Sequence, residues 1–142
     1  MIMGMRHVGI VVKNLKESLQ FYNLLGFKAN GQKQIREPSD YIDKLSAGKN
    51  ISLTTLKLTA PDNSMVELLD YEQSMVEEKQ TLFGTGITHI AFTVKSIEKV
   101  YTELLSKGIK FNSSPQMSSN GYAKVVFCKA PEGSFIELVE IL

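Results

Sequence analysis

The chain has 142 residues, 43% of them hydrophobic, which suits one domain with one ordinary core. Its 16 basic and 15 acidic residues leave a net charge of +1, too weak a field to favour nucleic acid or an anionic membrane. No apolar run reaches the roughly 20 residues that cross a bilayer, and the only cysteine, Cys128, is interpreted as a buried strand residue rather than a nucleophile. We therefore expect a cytoplasmic protein with a small-molecule substrate and with no nucleic-acid or membrane partner.

Residues 5–71 are predicted to form a β-α-β-β-β module. The stretch from Arg6 to Val12 is rich in β-branched residues and predicts a strand. Asn14 then caps an amphipathic helix, which ends at Gly26. Three further strands are predicted, at Phe27 to Ile35, Ile51 to Thr59 and Met65 to Tyr71.

A second module of the same kind is predicted at residues 87–142, so that residues 1–142 form a single domain of two modules. A charged linker at residues 72–86, expected to hold one or two helical turns, joins the modules. The second module has a strand at Ile87 to Val94, a helix capped by Ser96 and ended by Gly108, and final strands at Ala123 to Lys129 and Ser134 to Ile141.

The two modules repeat each other in sequence. HVGIVVKNLKESLQFYNLLGFKAN, which begins at His7, aligns without a gap with HIAFTVKSIEKVYTELLSKGIKFN, which begins at His89, and the chain has no other histidine. The segments APDNSMVELLD and APEGSFIELVE match as well and place Glu67 and Glu137 in register. A duplicated module must bury its core twice, so repetition preserves apolar residues first. Repetition of His and Glu indicates a duplicated site.

The two copies differ in length at one place. The histidines are 82 positions apart and the glutamates 70, so the first copy is 12 residues longer. The excess falls around Glu37 to Lys49, where Pro38-Ser39 predicts the start of a short helix. This insertion either covers a sheet edge or contacts the substrate.

Strand alternation predicts where the four repeated side chains point. In both first strands the set that includes the histidine alternates with a fully apolar set, so His7 and His89 point away from the helix. Glu67 and Glu137 interrupt apolar stripes, and a carboxylate in apolar surroundings is costly unless it is paired or bound to a metal. Two imidazoles and two carboxylates would balance one divalent ion. The residues therefore predict a site for Ni, Co, Fe, Mn or Zn.

The two module openings, which begin at His7 and His89, and the ending APEGSFIELVE resemble the vicinal oxygen chelate superfamily of glyoxalases, bleomycin resistance proteins and dioxygenases. The resemblance covers nearly the whole chain. The resemblance implies an α+β, glyoxalase-like fold in which the tandem modules form a cupped mixed sheet. It implies that His7, Glu67, His89 and Glu137 bind one divalent metal ion per site. It also favours a homodimer, with the site formed either within one chain or between two.

A complete His, Glu, His, Glu set is most similar to bacterial glyoxalase I, which implies a metal-dependent lyase or isomerase. The implied reaction is proton transfer next to a carbonyl of a small metal-chelating substrate, such as a thiol hemithioacetal or a related α-hydroxycarbonyl. Glu137 or Glu67 would be the base, and we favour Glu137 because its strand face is more uniformly apolar. The alternatives are an epimerase of the methylmalonyl-CoA type, a non-catalytic binding or resistance protein, and a dioxygenase.

Two positions depart from the glyoxalase pattern. The arginine and the asparagine that anchor glutathione in that family are replaced here by Val11 and Tyr71. Lost charge-assisted hydrogen bonds cost roughly 1.5 to 3 kcal/mol each, which argues against glutathione as the thiol. Tyr71 either lines the pocket or is simply a partly buried strand residue. Tyr41 and Tyr122 are further predicted substrate contacts.

Overall fold

The computed structural model describes residues 1–73 and 81–142, and these form two compact units, one before and one after the stretch between them. Each unit is a mixed β-sheet with an amphipathic helix packed on it, so the fold is α+β, as predicted. The helical turns predicted for the linker at residues 72–86 fall largely on residues 74–80, which lie outside the described residues. Within the described ranges, no helix has the length and apolar character needed to cross a membrane.

In chain order, the elements of the first unit are β1 (Val8–Val11), α1 (Leu15–Leu24), β2 (Lys28–Ala29), β3 (Gln34–Arg36), α2 (Asp40–Ser46), β4 (Leu53–Thr59) and β5 (Met65–Tyr71). β5 lies between β1, to which it is parallel, and β4, to which it is antiparallel. The two short strands β2 and β3 both pair with β4.

The second unit repeats this topology with fewer elements. In chain order, its elements are β6 (His89–Thr93), α3 (Ile97–Ser106), β7 (Gln116–Met117), β8 (Ala123–Lys129) and β9 (Phe135–Ile141). Its strand order is β6-β9-β8-β7, with β6 parallel to β9 and the other pairs antiparallel. The described part of this unit has no counterpart of α2. The short helix predicted within the 12-residue excess of the first copy is thus confirmed.

The helices α1 and α3 begin in different ways. Asn14 caps α1 as predicted, since its Oδ1 accepts a hydrogen bond from the Glu17 backbone N–H at 3.0 Å. Ser96 precedes α3, but its side chain makes no capping hydrogen bond, so the prediction of a serine cap is wrong in that respect. The Ile97 N–H instead donates to Glu140 Oε2 at 2.7 Å. A carboxylate from β9 therefore caps α3 across 43 residues of sequence.

The helix α2 is tied to the loop that follows it. Ser39 Oγ accepts from the Ile42 N–H at 3.3 Å at the start of the helix. The Asp43 carboxylate accepts from the backbone N–H groups of Asn50 at 2.7 Å and Ile51 at 2.9 Å. These bonds give the segment that leads into β4 a fixed path, because they satisfy backbone donors that no strand pairs.

The single strand predicted from Phe27 to Ile35 is two strands, so that prediction is wrong in detail. Lys28 pairs with Thr59, whereas Gln34 pairs with Thr55. The seven residues from Lys28 to Gln34 thus lie against the five from Thr55 to Thr59 of β4. The two extra residues cannot stay in the ladder, and Gly31 takes a positive φ of 85° where the chain loops out.

The core of each unit lies between its sheet and its helix. Alternate strand residues point to that side, and Leu58, Leu68, Ile136 and Leu138 are at most 1% exposed. The opposite side of each sheet, here called its far face, carries the other alternating set, in which Val11 is exposed. The predicted separation of an apolar helix-facing set from a set that includes the histidine is therefore confirmed.

Candidate functional site

The first His–Glu pair is made by neighbouring parallel strands of the first sheet. His7 lies immediately before β1, and the register pairs Gly9 with Glu67 of β5. His7 and Gly9 alternate to the same face, so the imidazole lies beside the carboxylate on the far face. His7 Nε2 and Glu67 Oε2 are 3.0 Å apart, and both side chains are partly buried.

The second sheet builds the same pair by the same means. β6 is parallel to β9, and the register pairs Ala91 with Glu137, two residues after His89. His89 Nε2 lies 3.2 Å from Glu137 Oε2 on the far face of this sheet. Each predicted ligand pair is therefore assembled within its own unit, at equivalent register positions.

The two imidazole rings are held differently. His89 Nδ1 lies 2.9 Å from Thr88 Oγ1, and the edge of the ring packs against Phe127 with ring centroids 5.3 Å apart. Nδ1 of His7 is buried and has no hydrogen-bond partner among the residues that the structure describes. The second imidazole thus has a fixed orientation that directs Nε2 toward Glu137, whereas the first is oriented chiefly by Glu67.

The residues across from the two carboxylates also differ. Antiparallel pairing with β4 places Lys57 opposite Glu67, and pairing with β8 places Phe127 opposite Glu137. Neither residue was predicted from the sequence, because both lie on strands that carry no repeated His or Glu. The alternation in LTTLKLT puts Lys57 on the far face, and the repeat aligns it with Phe127, so a signal for both positions was present.

The donor chemistry of each pair fits a divalent metal ion. An imidazole nitrogen and a carboxylate oxygen bound to one ion at about 2.1 Å, at a right angle, would lie about 3 Å apart, close to the separations of both pairs. The same separations suit a direct hydrogen bond, which satisfies each partly buried carboxylate. Across residues 1–73 and 81–142, no group of three or more His, Cys, Asp or Glu side chains is arranged to hold a metal. Each unit therefore offers two donors.

The predicted substrate-contacting tyrosines lie in three different settings. Tyr71 is partly buried at the end of β5, on the same face as Glu67. Tyr41 is exposed on α2, and Tyr122 is exposed immediately before β8. Among the described residues, no hydroxyl of these three tyrosines hydrogen bonds to either His–Glu pair. Val11 holds the place of the missing arginine on the far face and is exposed there.

Comparisons with known proteins place the chain in a family. The model of the Glyoxalase/Bleomycin resistance protein/Dioxygenase superfamily matches residues 4–138. A "Probable lactoylglutathione lyase" from Synechocystis is 27% identical over 139 residues, which cover 97% of this chain and 95% of that protein. The ATPase subunit HslU of an ATP-dependent protease from Rickettsia canadensis is 34% identical over 74 residues, which cover 52% of this chain and only 16% of HslU.

Solved structures share the fold. A glyoxalase family protein from Bacillus cereus has a TM-score of 0.90 at 20% identity, covering 100% of this chain and 96% of that one. A mutant of glyoxalase I from Zea mays has a TM-score of 0.70 at 23% identity, covering 96% of this chain and 46% of that one. At these identities the likeness concerns the fold, while the family match extends over nearly all of the sequence. The chain belongs to the glyoxalase/bleomycin resistance protein/dioxygenase superfamily.

Proposed function

We propose that the chain is a divalent-metal-dependent enzyme of the glyoxalase type, a lyase or isomerase that transfers a proton next to a carbonyl. The observation that carries this proposal is the equivalence of the two pairs: His and Glu meet at the same register position in both sheets, at 3.0 and 3.2 Å. An ion pair with a purely structural role would not have to be present in both sheets. Two copies of one pair suggest that both contribute to one function.

In this proposal His7, Glu67, His89 and Glu137 bind one divalent ion together, within one chain or between the two chains of a homodimer. Imidazole and carboxylate donors suit Ni, Co, Zn, Fe and Mn, and two carboxylates balance the charge of the ion. When bound, the ion would act as a Lewis acid toward a substrate that chelates it through adjacent oxygens. The homodimer and a cytoplasmic location remain predictions.

The protein residues would move the proton. We assign the role of base to Glu137, because its side chain is 21% exposed against 13% for Glu67 and is thus more accessible to a substrate carbon. Glu137 would take a proton from the carbon that bears the hydroxyl group and return it to the neighbouring carbonyl carbon, while the hydroxyl proton passes to the oxygen of that carbonyl, so that hydroxyl and carbonyl exchange places. Glu67, which is less accessible, would act mainly as a ligand. Tyr71, on the far face with Glu67, is the foremost candidate for contact with the substrate.

The thiol part of the substrate is not expected to be glutathione. Val11 offers no donor in place of the family's arginine, and its side chain is exposed on the far face, where a glutathione carboxylate would need a cation. This observation favours a second candidate, an epimerase of 2-substituted acyl thioesters. Both reactions begin with removal of a proton next to a carbonyl, so solvent exchange can detect either one.

The test is incorporation of deuterium from D₂O into the substrate, monitored by NMR, with protein reconstituted with Ni, Co or Zn. Two substrates separate the candidates: the hemithioacetal of methylglyoxal with 2-mercaptoethanol, and methylmalonyl-CoA. We expect metal-dependent exchange with one of them, reduced at least about 100-fold in Glu137→Gln, since a general base typically contributes that much.

The matched control is Glu140→Gln, which makes the same change on the same strand but on the opposite face. This variant should retain exchange activity, because Glu140 faces α3 rather than His89. If the metal-loaded wild type exchanges neither substrate, or if both variants lose activity equally, the proposed function is wrong.

A further inference from the structure

The far face of the first sheet carries positive charge that the proposed metal chemistry does not use. Strand register places Lys57 opposite Glu67, Arg36 opposite Leu53, and Lys28 opposite Thr59, so all three basic side chains belong to this face. Among the strand residues that the register assigns to it, Glu67 is the only acid. The face is therefore basic around a single carboxylate.

Lys57 is the basic residue of this face that lies directly opposite a proposed metal ligand. Side chains directly opposite in an antiparallel pair have Cβ atoms about 4.5 to 5.5 Å apart, so Lys57 and Glu67 are immediate neighbours. Glu67 nevertheless pairs with His7, at 3.0 Å. Within the described ranges, the Lys57 ammonium has no ion pair or hydrogen bond, although the residue is partly buried. An ammonium in this setting favours an anionic partner.

Charge balance strengthens this expectation. In the proposed site, the two carboxylates offset the two charges of the metal ion and the imidazoles are neutral ligands. Lys57 would therefore add an uncompensated positive charge next to Glu67.

The second sheet lacks this feature. Phe127 takes the place equivalent to Lys57, opposite Glu137, and packs its ring against His89. Lys129 also belongs to that far face, but its Nζ lies over the Phe135 ring, 4.8 Å from the centroid. The negative group of a substrate is thus expected to bind at Lys57 of the first sheet, since Phe127 offers no charge at the equivalent place in the second.

We propose that the substrate is an anionic metal chelator whose carboxylate binds the Lys57 ammonium while its adjacent oxygens bind the metal. This inference rests on the proposed function. It places the anion-binding group on β4 beside Glu67, away from the position on β1 that Val11 occupies. A substrate without a negative group would lack this charge-assisted hydrogen bond and would bind more weakly.

The test uses two hydroxamates that chelate a metal through adjacent oxygens and differ in their far end, the succinic acid monohydroxamate and butyrohydroxamate. Their affinities for cobalt-loaded wild type and Lys57→Met are measured by calorimetry, after the metal content of each protein has been determined. We expect Lys57→Met to bind the monohydroxamate at least about tenfold more weakly and butyrohydroxamate with unchanged affinity. Lys57→Arg, which keeps the charge, should restore most of the loss.

Arg36→Met is the matched control, because it removes one positive charge from the same face. Arg36 pairs with Leu53, four residues along β4 from Lys57 and about 13 Å away at the rise of a strand. A loss of affinity for the monohydroxamate in Lys57→Met, with the affinity of Arg36→Met unchanged, supports the inference. An equal loss of that affinity in both variants, or no loss in either, overturns the inference while leaving the proposed function intact. Wild type that binds no divalent metal would instead contradict the proposed function itself, and the inference with it.

Discussion

His7 and His89 occupy equivalent positions, but their second ring nitrogens have different surroundings. Thr88 holds His89 Nδ1 through a 2.9 Å contact, whereas His7 Nδ1 is buried and lacks a partner in the described parts of the chain. A hydrogen bond at the second nitrogen fixes the tautomer and orientation of a ligating histidine. His89 is therefore expected to be the better preorganised of the two proposed ligands.

Thr88→Val tests this difference, because valine keeps the shape of threonine and removes the hydroxyl group. We expect metal affinity to fall about tenfold, the usual effect of removing the partner of a ligating histidine. Competition with a chromogenic chelator gives the dissociation constant. Thr85→Val, an exposed loop change three residues earlier, should leave metal affinity unchanged. Equal affinities of Thr88→Val and wild type would show that the contact with Nδ1 does not orient a ligand.

Cys128 provides a second test at this scale. The residue is fully buried in β8, as the sequence predicted, and burial raises the pKa of its thiol to about 12. Because the thiolate is the reactive form, the folded protein should not react with Ellman's reagent at pH 8. One equivalent should react after unfolding in urea. Rapid reaction of the folded protein would mean that β8 opens readily or is packed otherwise.

Among the elements, α1 and α3 show how one repeated pattern reaches the same structure by different contacts. Asn14 caps α1 from the adjacent residue, while Glu140 caps α3 from β9. The copies could diverge in this way because a helix needs an acceptor for its first N–H groups, whatever its position in the sequence. The α3 cap also joins helix to sheet.

Glu140→Ala should lower the free energy of unfolding by about 1 kcal/mol, as expected for loss of an N-cap acceptor. Urea unfolding followed by circular dichroism measures the change. Asp70→Ala is the control, since Asp70 holds the aligned position in the first copy, where Asn14 already caps the helix. A similar loss of stability in both variants would show that the contact with the Ile97 N–H is not the source of the effect.

Sequence patterns were most reliable for strands with strong alternation and clear turns. The predicted bounds Met65–Tyr71 and Ala123–Lys129 agree with the structure at both ends. The stretch from Phe27 to Ile35 was less predictable, because its two short strands pair with separate parts of β4 and the register shifts between them. Propensity describes a segment by itself, whereas this break depends on its partner strand.

At the scale of the whole molecule, the repeat predicted the four residues that form the two His–Glu pairs, and the resemblance of the repeated segments to a known superfamily predicted the family and the α+β class. The repeat did so because duplication marks residues that matter in both copies. Lys57 was not predicted, because its counterpart in the second copy is Phe127. Comparison of the copies therefore shows a difference at this position instead of a shared site. Alternation gives the face of each residue, and the strand register then shows that both lie opposite a glutamate.

The central claim, that both His–Glu pairs bind one divalent metal ion, is tested most directly by elemental analysis of purified protein. Wild type, Glu67→Gln and His89→Ala should be expressed with supplied metals and dialysed together. We expect one divalent ion per proposed site in wild type and a large loss of bound metal in both variants, since each change removes one donor from a different pair. Equal metal content in all three proteins would contradict the claim.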